Sequence, residues 1–396
     1  AVRGPDHSPE FLMKLVPIAA LAVFVALPAA ADEGMWTFDN PPRSTIQRSL
    51  GVTFDSAWLD RAREATVRLD GGCTGSFISG DGLILTNHHC AEDCIAQNSS
   101  EGNDLVEGGF LAGVREKELQ CKEDSVSVLV GTEDVTAMVA AALAGVAPEG
   151  IVEARRAALT KLEQACEDES KKARGGPLKC ERVSLYQGGQ YWLYKYRRYE
   201  DVRLVFAPER DIAAFGGDPD NFQFPRWSLD MSILRAYEGG KPAKTPGHLR
   251  FDWDGVQPGD AVFVSGHPGN TDRLLTAAQL EVQRDTFMPF WLMRFSELRG
   301  RMIQYSKTGE EPRRTTESYL NTIENSIKVR RKQFDALLDP ALIANAREKE
   351  QALGSAAGSF DEIAKAQEAW RNILVPYTFI EGGAAGPSED ARLVLE

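Results

Sequence analysis

Apolar residues change their spacing repeatedly along this chain, and each change predicts a different element. Leu50, Val52, Phe54, Trp58 and Leu59 follow no single period and read as a short mixed segment. Beyond them Val67 and Leu69 alternate with polar neighbours, Gly71-Gly72 and Gly80-Asp81-Gly82 read as turns, and "LILT" at 83–86 reads as a buried strand. Between Asp134 and Ala173 the apolar positions take helical spacing, broken at Pro148-Glu149-Gly150, which predicts a helical hairpin. Strand signals return from Val183 to Pro268, in "YQGGQYWLYKYRRYEDVRLVFAP", "DMSILRAY" and "DAVFVSGHPG". After about Thr271 the pattern is helical and charged, as in "YLNTIENSIKVRRKQFDALLDP", and no internal repeat is evident. The expected architecture is mixed β+α: a mainly β unit over 32–270 with a helical insert at 134–173, then the beginning of a helical unit over 271–396.

One apolar stretch stands outside that scheme. From Met13 the chain reads "MKLVPIAALAVFVALPAAADEG", with Lys14, an apolar run, and small residues before Asp32. Those three parts make a secretory signal peptide over 13–31, cleaved after Ala31. A membrane-spanning helix needs about 20 apolar residues and better charged flanks. Residues 1–12 precede the signal and read as an upstream extension or a cloning scar. Export to the periplasm with no membrane anchor after cleavage is the expectation. With 396 residues, 43% of them hydrophobic, the chain has ample material for a core. A formal charge of −13 argues against nucleic acid and anionic membranes as partners.

Export also changes how the six cysteines are read. In an oxidising compartment they form disulfides, and their spacing suggests neighbours in order, Cys73–Cys90, Cys94–Cys121 and Cys166–Cys180, among about 15 possible connectivities. A metal site would draw on Cys90, Cys94, His88 and His89. Adjacent strand residues face opposite ways, however, so His88 and His89 do not readily share one ion. No metal or organic cofactor is expected.

Two of the five histidines are adjacent, at the end of an apolar strand and just before a cysteine. A histidine held by a strand on one side and a disulfide on the other suits a general base, because its ordinary pKa lies near neutrality. His89, beside Cys90, is the candidate, and His88 is its counterpart turned the other way. Such a base needs an orienting carboxylate. Asp218 and Asp220 lie in a Gly/Pro loop where aspartates are ordinary. Asp230 instead opens an apolar strand, where burial is costly unless a donor such as an imidazole N–H satisfies it.

Three motifs, "CTGSFISGDGLILTNHHC", "FGGDPDNFQFPRWSLDMSILRAY" and "VFVSGHPG", together resemble the bacterial periplasmic dipeptidyl-peptidases of the seven and eleven type, serine peptidase family 46. The resemblance runs from about Trp36 to Gly383. It implies a chymotrypsin-like β-barrel half, a helical cap, and serine-type release of dipeptides from free peptide N-termini by a homodimer. It assigns His89 as general base and Asp230 as the acid that orients it, with Asn221, Phe222 and Asn325 holding the substrate's N-terminus. The family nucleophile is a serine in a Gly-Asn-Ser-Gly-type turn, and these 396 residues contain no such turn. Ser265, Ser355 and Ser359 lack the motif. The expectation is therefore that the second barrel and the nucleophile lie beyond this chain, and that the chain alone is inactive. Two other readings remain, a trypsin-like endopeptidase and a secreted non-catalytic peptide-binding module.

Overall fold

The computed structural model describes residues 36–380 apart from 101, 123, 174–175, 214–227, 269–273 and 355–356. Two short helices, α1 (Arg43–Leu50) and α2 (Ser56–Ala65), lead into strands β1 (Thr66–Leu69), β2 (Thr74–Phe77) and β3 (Leu83–Thr86). Helices α3 (Glu92–Gln97) and α4 (Leu105–Gly108) precede β4 (Phe110–Leu111), β5 (Leu119–Gln120) and the long β6 (Val126–Asp134). The helices α5 (Thr136–Leu143) and α6 (Ile151–Ser170) follow, then β7 (Lys179–Leu185), β8 (Gln190–Tyr199) and β9 (Asp201–Ala207). After α7 (Arg210–Ala213) come β10 (Ser232–Glu238) and β11 (Lys241–Pro242). From Ala277 the described residues are mainly helical: α8 (Ala277–Val282), α9 (Met288–Ser306), α10 (Glu310–Leu337), α11 (Pro340–Ala352) and α12 (Ala357–Ile380).

All strands belong to one antiparallel sheet, ordered β4-β9-β10-β3-β2-β1-β6-β8-β7, with β11 on β10 and β5 also on β9. The path is open, with β4 at one end and β7 at the other. Its core face gathers Val67, Phe77, Ile84, Val126, Leu204 and Leu234. β2 and β3 alternate buried and half-buried positions, so "LILT" puts only Ile84 and Thr86 fully inside. That is the period-two signature of a strand with one core face rather than two. The turn before β3 needs its glycine. Gly82 has φ +84°, and a Cβ there would sit 2.6 Å from the carbonyl oxygen of Ala236. Val135 just before α5, Val139 of α5 and Leu159 of α6 pack against Leu193 of β8, and Cys166–Cys180 ties α6 to β7.

One strand expectation is overturned. Residues 251–268 contain no strand, and Val262, Phe263 and Val264 are exposed. Their β-forming side chains have no neighbouring strand to pair with among the described residues. Phe263 instead meets Phe54 and Trp58 edge-on, at ring centroid distances of 5.8 and 5.2 Å.

Candidate active site

β3 and β10 run antiparallel with Thr86 opposite Ser232 and Leu85 opposite Ile233. Continuing that register past its last pair brings 88 and 230 opposite one another. The two apolar strands, by stopping where they do, deliver a histidine pair and an acid to the same edge of the sheet. The turn that begins at Asn87 then separates the histidines. The His88 side chain is buried, at 5% exposure, and its Nε2 has no hydrogen-bond partner. Burial pushes its pKa down. His89 turns outward, its side chain 41% exposed, against 10% for Asp230.

The imidazole Nδ1 of His89 lies 2.8 Å from Oδ2 and 3.1 Å from Oδ1 of Asp230. The backbone N–H of His89 also donates to Oδ1, at 3.2 Å. Asn87 completes the arrangement, its Nδ2 donating to both the side-chain Oδ2 and the backbone oxygen of Asp230 at 3.1 Å. Burial pushes the Asp230 carboxyl up, but the ring and amide hydrogen bonds of His89 and its charge outweigh this, so the pKa lies below the ordinary value. The carboxylate therefore stays ionised and accepts the Nδ1 proton. Proton exchange with a reacting group then falls to Nε2. Asn87 was missed in the sequence reading. Its signal was its place just after β3, opening the turn that carries His89.

Covalent bracing holds this turn in place. Cys73, just before β2, is bonded to Cys90, the neighbour of His89, and Cys94 to Cys121. All three bridges join neighbours in sequence order. Backbone bonds from Cys90 to Asn87 (3.2 Å) and from Ala91 to His88 (2.8 Å) close the turn inside the loop. Cys73, His89 and Cys90 lie close enough to share an ion, yet the two sulfurs are bonded to each other. A thiolate-ligated metal would require opening that bridge.

The remaining candidates are placed elsewhere. Asn221 and Phe222 lie outside the described residues, as do the signal segment and Ser355. Ser265 accepts a hydrogen bond from the Thr66 hydroxyl at 2.8 Å, and Ser359 is an exposed position on α12. Asn325 sits on α10, lining a cavity of about 370 Å³ with Gln283 and Phe287, and its Oδ1 is buried with no partner. No helix among the described residues is long and apolar enough to cross a membrane.

Comparison with known proteins sets this geometry in a family. The family model described as Peptidase S46 matches residues 31–378. The Asp/Glu-specific dipeptidyl-peptidase of Shewanella putrefaciens is 32% identical over 303 residues, covering 72% of this chain and 40% of that protein. Dipeptidyl-peptidase 7 of Capnocytophaga gingivalis is 28% identical over 346 residues, covering 82% and 48%. The crystal structure of Porphyromonas endodontalis DPP11 with the dipeptide Arg-Glu superposes with a TM-score of 0.74 at 25% identity, over 87% of this chain and 53% of that one. The chain thus spans less than half the length of those two curated relatives. It belongs to the peptidase S46 family.

Proposed function

We propose that this S46 peptidase chain carries the proton-transfer pair and part of the amine-binding site of a serine-type dipeptidyl-peptidase. The observation that carries the reading is the His89–Asp230 contact, with Nδ1 2.8 Å from a carboxylate that a neighbouring amide already orients. In this mechanism Nε2 of His89 takes the hydroxyl proton of a serine as its oxygen attacks the second peptide carbonyl. Asp230 holds the resulting imidazolium, which returns the proton to the leaving amine as the acyl-enzyme forms. Water then attacks that ester with His89 again as base, releasing the dipeptide acid and regenerating the serine.

The finer features of the reading follow from the resemblance. The open sheet is one half of a chymotrypsin-like pair of barrels, and residues 271–396 begin a helical cap. Asn221, Phe222 and Asn325 hold the substrate's ammonium. The working enzyme is a periplasmic homodimer exported by the segment 13–31. The unpartnered Oδ1 of Asn325 favours one fallback, a peptide-binding module without turnover.

The test uses dipeptidyl p-nitroanilides with free and acetylated N-termini. In a polypeptide that also supplies the serine turn, His89→Ala should lower turnover by roughly 10⁴ to 10⁶. Acetylated substrates should not be cleaved, and the 396-residue chain by itself should release nothing above buffer. Turnover unaffected by His89→Ala would sink the reading.

A further inference from the structure

Between α8 and α9 the helix widens into a single π turn, Gln283–Phe287, closed by the Met288 N–H donating to the Gln283 carbonyl. Such turns are strained insertions found disproportionately at functional sites. The helix leading into it is firmly registered. Thr276 and Gln279 form a capping box at the start of α8, and the Ala277 N–H donates to Glu350 of α11. The irregularity therefore falls at one place, and it begins at Gln283. There Gln283 and Asn325 line the same cavity, of about 370 Å³. Gln283 Oε1 and Asn325 Oδ1 are both buried and both without a hydrogen-bond partner. Two shielded acceptors left open beside one space are a standing cost to the fold, and such groups call for an explanation.

The lining chemistry narrows the ligand. Neutral amide oxygens accept but carry no charge, so they suit a compact donor rich in hydrogens, which is a primary ammonium. The guanidinium of Arg330 lines the same cavity and lies over the rings of Phe287, Trp291 and Phe295 at 5.3, 5.5 and 5.7 Å. A fixed positive charge nearby disfavours a bare alkylammonium. It favours an ammonium followed closely by a carbonyl oxygen that the guanidinium can meet, and a peptide N-terminus has that order.

We infer that Gln283, presented by the π turn, is a second acceptor for the substrate's N-terminal ammonium, paired with Asn325 across this cavity. The inference rests on the reading above that Asn325 meets the amine, and extends it to a residue on a different helix. Two acceptors on separate elements fix the ammonium's position as well as its presence, as an enzyme that counts two residues from the N-terminus requires.

The experiment is calorimetric binding of Ala-Ala amide and N-acetyl-Ala-Ala amide to the 396-residue chain. The wild type should bind the free amine and not the acetylated form. Gln283→Leu should weaken binding about tenfold, and Gln283→Glu, which puts a carboxylate at the same place, should tighten it. Retained or tightened binding in the Glu variant shows that the pocket survives substitution. A loss below threefold in Gln283→Leu, or equal binding of both probes by the wild type, overturns the inference. Should Asn325→Leu abolish binding while Gln283→Leu leaves it intact, the amine reading stands and this extension falls. Should His89→Ala leave turnover intact while these affinities hold, the general-base reading falls and the ammonium seat stands.

Discussion

The Asp230 carboxylate and the amide oxygens of Gln283 and Asn325 are all shielded from water, and the fold treats them in opposite ways. Asp230 receives the ring and backbone of His89 and the amide of Asn87. The two amide oxygens receive nothing. A proton-transfer pair has to stand in its working geometry before substrate arrives, since reorganising it during the reaction would add to the barrier. A ligand seat has to stay open, because any internal partner would compete with the ligand. Pairing at one place and vacancy at the other mark the division between chemistry and recognition.

The largest effect comes from breaking the paired side. Asp230→Asn keeps the shape of the acceptor but offers an N–H₂ to Nδ1, which favours the tautomer with the proton on Nε2. In a polypeptide carrying the serine turn, turnover should fall by about 10⁴. On the 396-residue chain the same switch should appear in the ¹⁵N shifts of the His89 ring. An unchanged tautomer would mean that Asp230 does not orient the base.

A second cut tests whether pairing in the β region also carries stability. Glu118, with 2% of its side chain exposed, accepts from Arg235 Nε at 3.0 Å and from the Tyr237 hydroxyl at 2.7 Å. Glu118→Leu leaves the Arg235 guanidinium, itself 8% exposed, with only its bonds to the Asp81 carbonyl and carboxylate, and should cost about 3 kcal/mol in urea denaturation. Replacing Arg235 by Leu as well should recover much of the loss. Failure of the double variant to recover would place the cost in packing.

Acid should separate the paired and unpaired histidine-bearing parts of the β region. Burial, with Arg68 adding to it, pushes His267 down to about 4, and its Nε2 has no partner. Its folded pKa lies below the ordinary value of 6.5. The stability it contributes is complete above that value and is lost as pH falls toward 4, because the unfolded chain binds the proton first. Asp230 shifts in the same direction from a lower starting point, so its contribution holds above about 3.9 and fails only below it. His267→Leu should flatten the stability curve in the upper window and leave the lower one. His88, also pushed down, leaves a remainder in the upper window. A more modest effect belongs to the helix that feeds the π turn. Thr276→Ala removes one half of the capping box and should cost about 1 kcal/mol in thermal melts.

The two regions also differ in how far the sequence disclosed them. "LILTNHHC" and "LDMSILRAY" carry their meaning locally. A histidine pair just past an apolar strand points to a base at its end, and the price of burying Asp230 points to a donor. Disulfide order was legible for a similar reason, since the bridged cysteines are neighbours along the chain. Asn87 was not, because asparagine after a strand is ordinary turn chemistry until its partner's position is known. The stretch 262–264 misled, since β-forming side chains specify a strand only where another strand pairs with them. Gln283 left no trace at all. A π turn has no distinctive composition, and an unpartnered oxygen is a property of three-dimensional neighbours.

The smallest effect is also the one that sharpens the comparison most. Gln283→Leu removes a shielded oxygen that bonds to nothing. Deleting a buried polar atom without a partner avoids its desolvation penalty, while leucine keeps most of the bulk. The variant should therefore unfold at the same temperature as the wild type or slightly above it, a gain of 0 to about 1 kcal/mol, even as it loses affinity for a free amine. That is the pattern expected where a fold holds a site open at the expense of its own stability. Asp230→Asn should show no such gain, since its neighbours lose a charged acceptor they already use. Marked destabilisation by Gln283→Leu would mean that Oε1 serves the resting fold through an ordered water, and the contrast between the two regions would close.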